Sequence, residues 1–188
     1  MDLSDYSLTI IDDQTNIGHF DCGDDDLNEF LLLKAKHYSK ELLATTYILE
    51  KDDAVVAFFS IFNDNIEAEE HVFESKTQWK KTLAALVPFG KRHITHFPAI
   101  KIGRLAVCLE SQKCKLGKTL INYILDLALT QNKTCACKFL SVDAYSQSLN
   151  FYERIGFEYL TQKDKNEDTR QMYLDLTPFI NTDTAENQ

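Results

Sequence analysis

The chain has 188 residues, of which 44% are hydrophobic and 26% are charged, with only 6 glycines and 3 prolines. This balance is typical of one soluble globular domain and argues against long disordered or low-complexity segments. The formal net charge of -9 repels phosphate backbones, so nucleic acid is not an expected partner on charge alone.

The amino-terminal part predicts a strand, a helix and two further strands. Residues 6–11 alternate as in a strand. The acidic run Asp24–Asp26 precedes apolar residues with helical spacing and would complement the dipole of a helix over 24–43. Its spacing is not that of an EF-hand calcium loop. The next two strands are predicted at 45–50 and 55–63.

Location is predicted from two absences in the sequence. The first residues, Met1–Asp5, have neither the basic flank nor the apolar run of a signal peptide. No stretch is apolar for long enough to cross a bilayer. We therefore expect a cytoplasmic protein that makes no membrane contact.

The pattern changes after residue 63. Residues 64–99 predict one amphipathic helix around Trp79, inside an insert of uncertain structure. Strands are predicted at 102–109 and 139–144, with a helix from 116 to 128 between them. The short helix over 145–154 is expected to end at the C-cap residue Gly156, and the last two strands are predicted at 157–160 and 170–176.

These elements together predict an α/β (α+β) fold with one central sheet. Residues 1–180 are expected to form a single domain, and residues 181–188 a flexible tail.

Cysteine and histidine spacing predicts no metal centre. Cys135 and Cys137 form a CxC pair, but no second pair or nearby histidine completes a zinc set. The histidines His71, His93 and His96 would need a convergent geometry that the sequence does not guarantee. We expect reduced thiols and no bound metal.

The strand, turn and helix at 102–129 form a phosphate-binding layout. The first amides of a helix have no partner within the helix and favour negative charge. Lys113, Lys115 and Lys118 lie at this turn in a protein that is acidic overall. Taken alone, a solvated helix start with a few lysines is the simpler interpretation.

Four motifs occur in order, namely Gly103–Val107, Gln112–Lys118, Val142–Ala144 and Phe151–Phe157. Together they resemble the GNAT N-acetyltransferase family, whose acyl-CoA motif reads Gln/Arg-x-x-Gly-x-Gly/Ala and is followed by a Phe-Tyr pair. The resemblance is close over 100–160 and looser before it. It implies the GNAT fold, a single mixed and mostly antiparallel sheet flanked by helices, with a splayed strand pair that holds acetyl-CoA as co-substrate.

The resemblance also assigns cofactor-binding residues along the strand, the turn and the start of the second helix. They are Leu105, Ala106, Val107, Gln112, Lys113, Cys114, Lys115, Leu116, Gly117, Lys118, Tyr145 and Ser146. Lys115 occupies the first glycine position, and we expect it to keep helical dihedral angles. The family's cofactor-contacting asparagine position falls on Tyr145 or on Ser146, depending on the direction of counting.

The same resemblance implies that Tyr152 donates a proton to the leaving thiolate. The alternative is a core tyrosine whose hydroxyl is capped by a backbone carbonyl. Direct attack by the amine needs no enzyme nucleophile, so Cys108 and Cys114 require no catalytic role. Glu110 is a candidate general base by its position at the strand end, and a surface glutamate is the alternative.

Three hypotheses for function remain open. The first is acetylation of a primary amine on a small molecule, peptide or protein. The second is a toxin of a bacterial toxin–antitoxin pair, because GNAT toxins share these motifs and acetylate aminoacyl-tRNA, although the charge argues against tRNA. The third is a non-catalytic CoA-binding domain, which Lys115 motivates. An edge strand at Met172–Leu176 would support a homodimer.

Overall fold

The computed structural model describes residues 5–87, 94–112 and 114–180. His93, Lys113 and the tail at 181–188 lie outside these residues. The chain divides into two compact units, Met1–Phe62 with Ile102–Ile124, and Asn63–Lys101 with Leu125–Gln188. The single domain over 1–180 stays a prediction.

The described residues form one sheet with the strand order β1-β2-β3-β4-β5-β7-β6. The strands are β1 Ser7–Ile10, β2 Thr45–Lys51, β3 Ala54–Glu67, β4 His96–Val107, β5 Phe139–Tyr145, β6 Glu158–Tyr159 and β7 Thr169–Asp175. The registered pairs are antiparallel except for β4 with β5, which is a parallel ladder of Ala99–Lys101 with Phe139–Ser141. The predicted mixed, mostly antiparallel sheet is confirmed.

Six α-helices connect or follow these strands in the described ranges. They are α1 Asp25–Glu29, α2 Ala35–Lys40, α3 Lys76–Leu86, α4 Leu116–Gln131, α5 Leu149–Ile155 and α6 Thr177–Ile180. None of the helices in these ranges is both long and apolar enough to span a membrane.

The first unit confirms the acidic helix start and corrects the helix length. The Asp24 carboxylate accepts a hydrogen bond from the Leu27 amide at 3.1 Å, which caps α1. The helix predicted over 24–43 is present without a break from Asp25 to Lys40, but it ends three residues earlier than predicted and contains a π-helical stretch at Phe30–Lys34. Phe30 and Leu31 in this stretch are buried in the core of the unit, so tertiary packing overrides the regular helical pattern.

The second unit shortens the predicted insert at 64–99. The strand β3 continues to Glu67 and β4 begins at His96, because Ile66 and Phe97 are both buried in one apolar cluster. The predicted helix around Trp79 is confirmed as α3, and the indole Nε1 donates to the Ala68 carbonyl at 2.8 Å. This apolar cluster lies beneath α3.

The carboxy-terminal part brings two further corrections. The short helix begins at Leu149 rather than at Tyr145, because Tyr145 is still a strand residue paired with Thr169. The prediction of an edge strand at Met172–Leu176 is wrong, because β6 pairs with β7 on the side away from β5. The C-cap at Gly156 is confirmed, with a φ of 109°.

Candidate functional site

The strand β4 carries three of the predicted cofactor-binding residues, Leu105, Ala106 and Val107. Ala106 is buried, and Leu105 and Val107 are half-buried. A Cβ added to Gly103 would lie 2.6 Å from Cε1 of Phe62, so only a glycine lets Phe62 pack directly on this backbone. Gly103, the first residue of the Gly-Arg-Leu-Ala-Val motif, therefore has a packing role in β4.

Lys115 has a φ of 61°, which is in the left-handed region. The expectation that it keeps helical dihedral angles is wrong. The left-handed conformation costs a residue with a Cβ roughly 1–2 kcal/mol, and the lysine adopts it nevertheless. The lysine thus keeps the backbone conformation that a glycine would adopt at this position. Lys115 is therefore no longer a reason to favour a non-catalytic CoA-binding domain.

The start of α4 offers backbone amides for an anion. The Thr119 amide donates to the Lys115 carbonyl at 3.2 Å, so the amides of Lys115–Lys118 precede the hydrogen-bond ladder of the helix. Two other amides of the predicted set, those of Gln112 and Cys114, donate within the turn at 3.3 and 3.4 Å. The amides suited to a phosphate are therefore those of Lys115–Lys118.

The side chain of Gln112 anchors this turn. Its Nε2 donates to the carbonyl oxygens of Cys22 at 3.0 Å and Val107 at 3.2 Å. The Leu109 amide donates to the Asp21 carbonyl at 3.0 Å. Hydrogen bonds from the Gly23 amide and the Asn28 side chain lower the pKa of the Asp21 carboxyl. The turn is thereby tied to the segment that precedes α1.

Tyr152 lies on α5 with its ring packed edge-to-face against Phe151 at 5.0 Å and Phe157 at 5.2 Å. The residue is 6% exposed, and burial raises the pKa of Tyr152, so the hydroxyl is protonated at neutral pH. No residue in the described ranges supplies a hydrogen-bond partner for this hydroxyl. Every buried polar side-chain atom there has a partner, so the Tyr152 oxygen must reach solvent-accessible space. A backbone-capped core tyrosine is not what the structure shows.

The predicted site residues at the second helix start and at the end of β4 are exposed. Tyr145, the last residue of β5, is 51% exposed, and Ser146 begins a 3-10 turn. Glu110 lies in another 3-10 turn, Leu109–Ser111, directly after β4. The binding role of Tyr145 and Ser146 and the catalytic role of Glu110 stay predictions.

A group of four polar side chains in the second unit was not predicted from the sequence. It is named the polar strip and consists of Asp64, Lys101, Ser141 and Asp143. The Ser141 hydroxyl donates to Oδ2 of Asp64 at 3.0 Å. Lys101 Nζ lies 2.6 Å from Oδ2 of Asp143. The available signal was the alternation of Ser141 and Asp143 with buried apolar residues in β5. Asp64 gave no signal, because it fell within the insert of uncertain structure.

The one group of metal-ligand type found in the described part of the chain is Glu67, Glu69 and His71. His71 Nε2 lies 3.2 Å from Oε1 of Glu67, and Nδ1 lies 3.6 Å from Oε2 of Glu69. The two ring nitrogens of His71 thus face two different carboxylates at the surface. All five cysteines are free thiols.

A family comparison decides the class of this chain. The model of the acetyltransferase (GNAT) domain matches residues 35–172. The chain belongs to the GNAT acetyltransferase family. This GNAT protein is accordingly an acyltransferase that uses acetyl-CoA as co-substrate, and both predictions are confirmed. No curated protein sequence matches it.

Solved structures share the fold of this GNAT protein. A tyrosine-to-phenylalanine mutant of KacT is 22% identical with a TM-score of 0.75, over 95% of this chain and 99% of that one. AtaT complexed with acetyl-methionyl-tRNAfMet is 22% identical with a TM-score of 0.73, over 93% and 97%. A mutant AtaT toxin bound to the C-terminus of the antitoxin AtaR and acetyl-CoA is 18% identical with a TM-score of 0.71, over 98% and 100%.

Proposed function

We propose that this chain transfers the acetyl group of acetyl-CoA to a primary amine by direct attack of the amine on the thioester. The observation that carries the proposal is Tyr152, whose ring is buried and whose hydroxyl has no partner among the described residues yet reaches solvent-accessible space. A protonated hydroxyl in this state is available as a general acid.

The start of α4 fits the pyrophosphate of acetyl-CoA. The helix is 16 residues long, and its dipole and first amides favour a negative charge at Lys115–Lys118. The side chains of Lys115 and Lys118 are exposed and add positive charge in a chain of net charge -9. Phosphate binding here therefore rests on backbone amides with lysine support.

The chain's own groups then have defined tasks. When bound, acetyl-CoA supplies an acetyl group activated as a thioester. The backbone of β4 near Leu105 and Val107 orients the pantetheine arm, and holding the two reactants in attack geometry supplies much of the rate. Tyr152 gives its proton to the sulfur as the C–S bond breaks, and burial keeps that proton on the tyrosine at neutral pH. No residue acts as a nucleophile.

The test is the Tyr152→Phe variant, which keeps the ring and its packing. We expect kcat to fall by about 10²–10³-fold, while calorimetry shows acetyl-CoA affinity unchanged within about twofold. Release of free CoA thiol is measured with methionyl-tRNA, spermidine and a peptide with a free amino terminus. The matched control is Phe151→Leu, which alters a half-buried neighbour without touching a hydroxyl. A Tyr152→Phe rate above half of the unmodified rate would contradict the proposed role.

A second candidate is acetylation of the amino group of aminoacyl-tRNA, as a toxin of a toxin–antitoxin pair. One observation favours it, namely the shared fold with AtaT complexed with acetyl-methionyl-tRNAfMet over 97% of that chain. The net charge of -9 opposes it, because tRNA binding needs a positive surface.

Two measurements separate this candidate from a small-molecule or peptide acceptor. If the acceptor is aminoacyl-tRNA, methionyl-tRNA is acetylated in preference to spermidine and the peptide, and the rate falls steeply with added salt. Expression in bacteria then arrests growth, and Tyr152→Phe relieves the arrest. Acetylation of spermidine or the peptide alone rules this candidate out.

A further inference from the structure

The hydrogen bond between Asp64 and Ser141 crosses a strand. Asp64 lies on β3 and Ser141 on β5, and β4 lies between them in the sheet. Neighbouring strands are about 4.8 Å apart, so two such spacings separate β3 from β5, and both side chains must extend over β4 to meet. Ser141 is fully buried, with 0% exposure. The Asp64 carboxylate is thereby held over the face of β4.

The Asp64 carboxylate is held over β4 near Lys101. Lys101 pairs with Ser141 in the parallel ladder, so both side chains lie on one face of the sheet, and Asp143, two residues farther along β5, shares that face. Lys101 neutralises Asp143 through the contact at 2.6 Å. Asp64 has no cationic partner in the described ranges, and its Oδ1 accepts no hydrogen bond from them. One oxygen of an uncompensated carboxylate is therefore available.

The direction of β4 relates this point to the proposed function. The phosphate turn follows Val107, and the pantetheine arm is proposed to run back along β4 past Leu105. Its thioester end then lies toward Gly103, which follows Lys101 by two residues. Glu110 lies in the turn at the opposite, pyrophosphate end of the strand. The amine must approach the thioester end.

We propose that Asp64 is the catalytic residue that binds the ammonium group of the acceptor and takes its proton, in place of Glu110. This role rests on the proposed function. The ammonium gives one proton to Oδ1 of Asp64, and the neutral nitrogen attacks the carbonyl carbon. The C–N bond forms and the C–S bond breaks, Tyr152 protonates the sulfur, and the second nitrogen proton leaves to solvent. Asp64 returns its proton to solvent, and Tyr152 regains one.

The test compares Asp64→Asn with Asp143→Asn. The asparagine at 64 keeps an oxygen for the buried Ser141 hydroxyl, so the fold is retained, and both variants change the net charge by the same amount. With whichever of methionyl-tRNA, spermidine and the peptide the unmodified chain acetylates, Asp64→Asn lowers kcat/KM for the amine by about 10²-fold or more. The KM for acetyl-CoA stays within about twofold, and Asp143→Asn and Glu110→Gln lose less than about fivefold.

The possible outcomes distinguish failure of the Asp64 role from failure of the proposed function. A loss in Asp64→Asn no larger than that in Asp143→Asn overturns the role of Asp64 and leaves the proposed function standing. A loss confined to the KM for acetyl-CoA also overturns it, because Asp64 would then serve cofactor binding. If the unmodified chain acetylates none of the three amines, the proposed function falls, and the role of Asp64 falls with it.

Discussion

Two of the strand-to-helix connections in the described residues contain a 3-10 turn after the strand but end differently. After β4, the 3-10 turn Leu109–Ser111 leads through a left-handed Lys115 into a helix of 16 residues. After β5, the 3-10 turn Ser146–Ser148 leads directly into the seven-residue α5. The first connection presents the amides of a long helix, whereas the second brings a buried side chain into place.

This difference indicates that the two connections have different tasks, although the same set of family motifs predicted both. A long helix with free amino-terminal amides is suited to hold a diffuse negative charge. A short helix contributes little dipole but fixes a ring, as α5 fixes Tyr152 between Phe151 and Phe157. Binding and proton donation are therefore expected to respond to different substitutions.

The largest expected effect distinguishes the first residues of the two helices. Leu116 of α4 is 1% exposed, so Leu116→Ala is expected to lower the free energy of unfolding by roughly 2–5 kcal/mol. Leu149, which begins α5, is half-buried, and Leu149→Ala should cost less than half as much. Urea denaturation measures both. Equal losses would break the comparison, because the two helix starts would then be anchored equally.

A smaller effect of opposite sign is expected at the left-handed residue. Lys115→Gly removes the conflict between a Cβ and a φ of 61° and should raise the free energy of unfolding by about 1 kcal/mol. The control is Lys118→Gly, three residues farther into α4, which should lower it by about 1 kcal/mol. Thermal or urea unfolding gives both signs. A destabilised Lys115→Gly would mean that the lysine side chain itself stabilises the turn.

The smallest effect concerns pH and belongs to the second connection. Because burial raises the pKa of Tyr152, its contribution to stability is complete below the ordinary tyrosine pKa of about 10 and is lost as pH rises above it. The free energy of unfolding should fall by less than about 1 kcal/mol between pH 9 and 10.5 from this group. Tyr152→Phe should show a shallower fall than the unmodified chain. Between pH 7 and 9 the transfer rate should not fall through deprotonation of Tyr152, because burial keeps its hydroxyl protonated. A fall in the rate over this range that is absent in Tyr152→Phe would contradict the buried placement.

Elements set by neighbouring residues were predictable from the sequence. Gly156 ends α5 because glycine adopts a φ of 109° without steric cost. The start of α4 at Leu116 and the acidic start of α1 follow from apolar spacing and first-turn charge in the same way. The Phe-Tyr pair also predicted Tyr152 as a site residue. Its packing between Phe151 and Phe157 is seen only in the structure.

Features that depend on distant residues were not predictable. The strand character of Tyr145 comes from its pairing with Thr169, and β3 runs through its polar residues because Ile66 enters a core built by later segments. The only local signal for the φ of Lys115 was the glycine position that it occupies in the acyl-CoA motif, since a lysine by itself does not indicate a left-handed conformation. The polar strip was missed for the same reason, because Asp64 and Ser141 are 77 residues apart in the chain.

That separation has a consequence for the order of folding. The bond between Asp64 and Ser141 closes only when three strands have assembled, and contacts so distant in sequence form slowly because the intervening loop must first be ordered. The proposed ammonium-binding carboxylate is thus in place only once β5 has docked beside β4. A partly assembled chain that already holds acetyl-CoA on α4 would lack this carboxylate, so acetyl transfer would report on completion of the sheet.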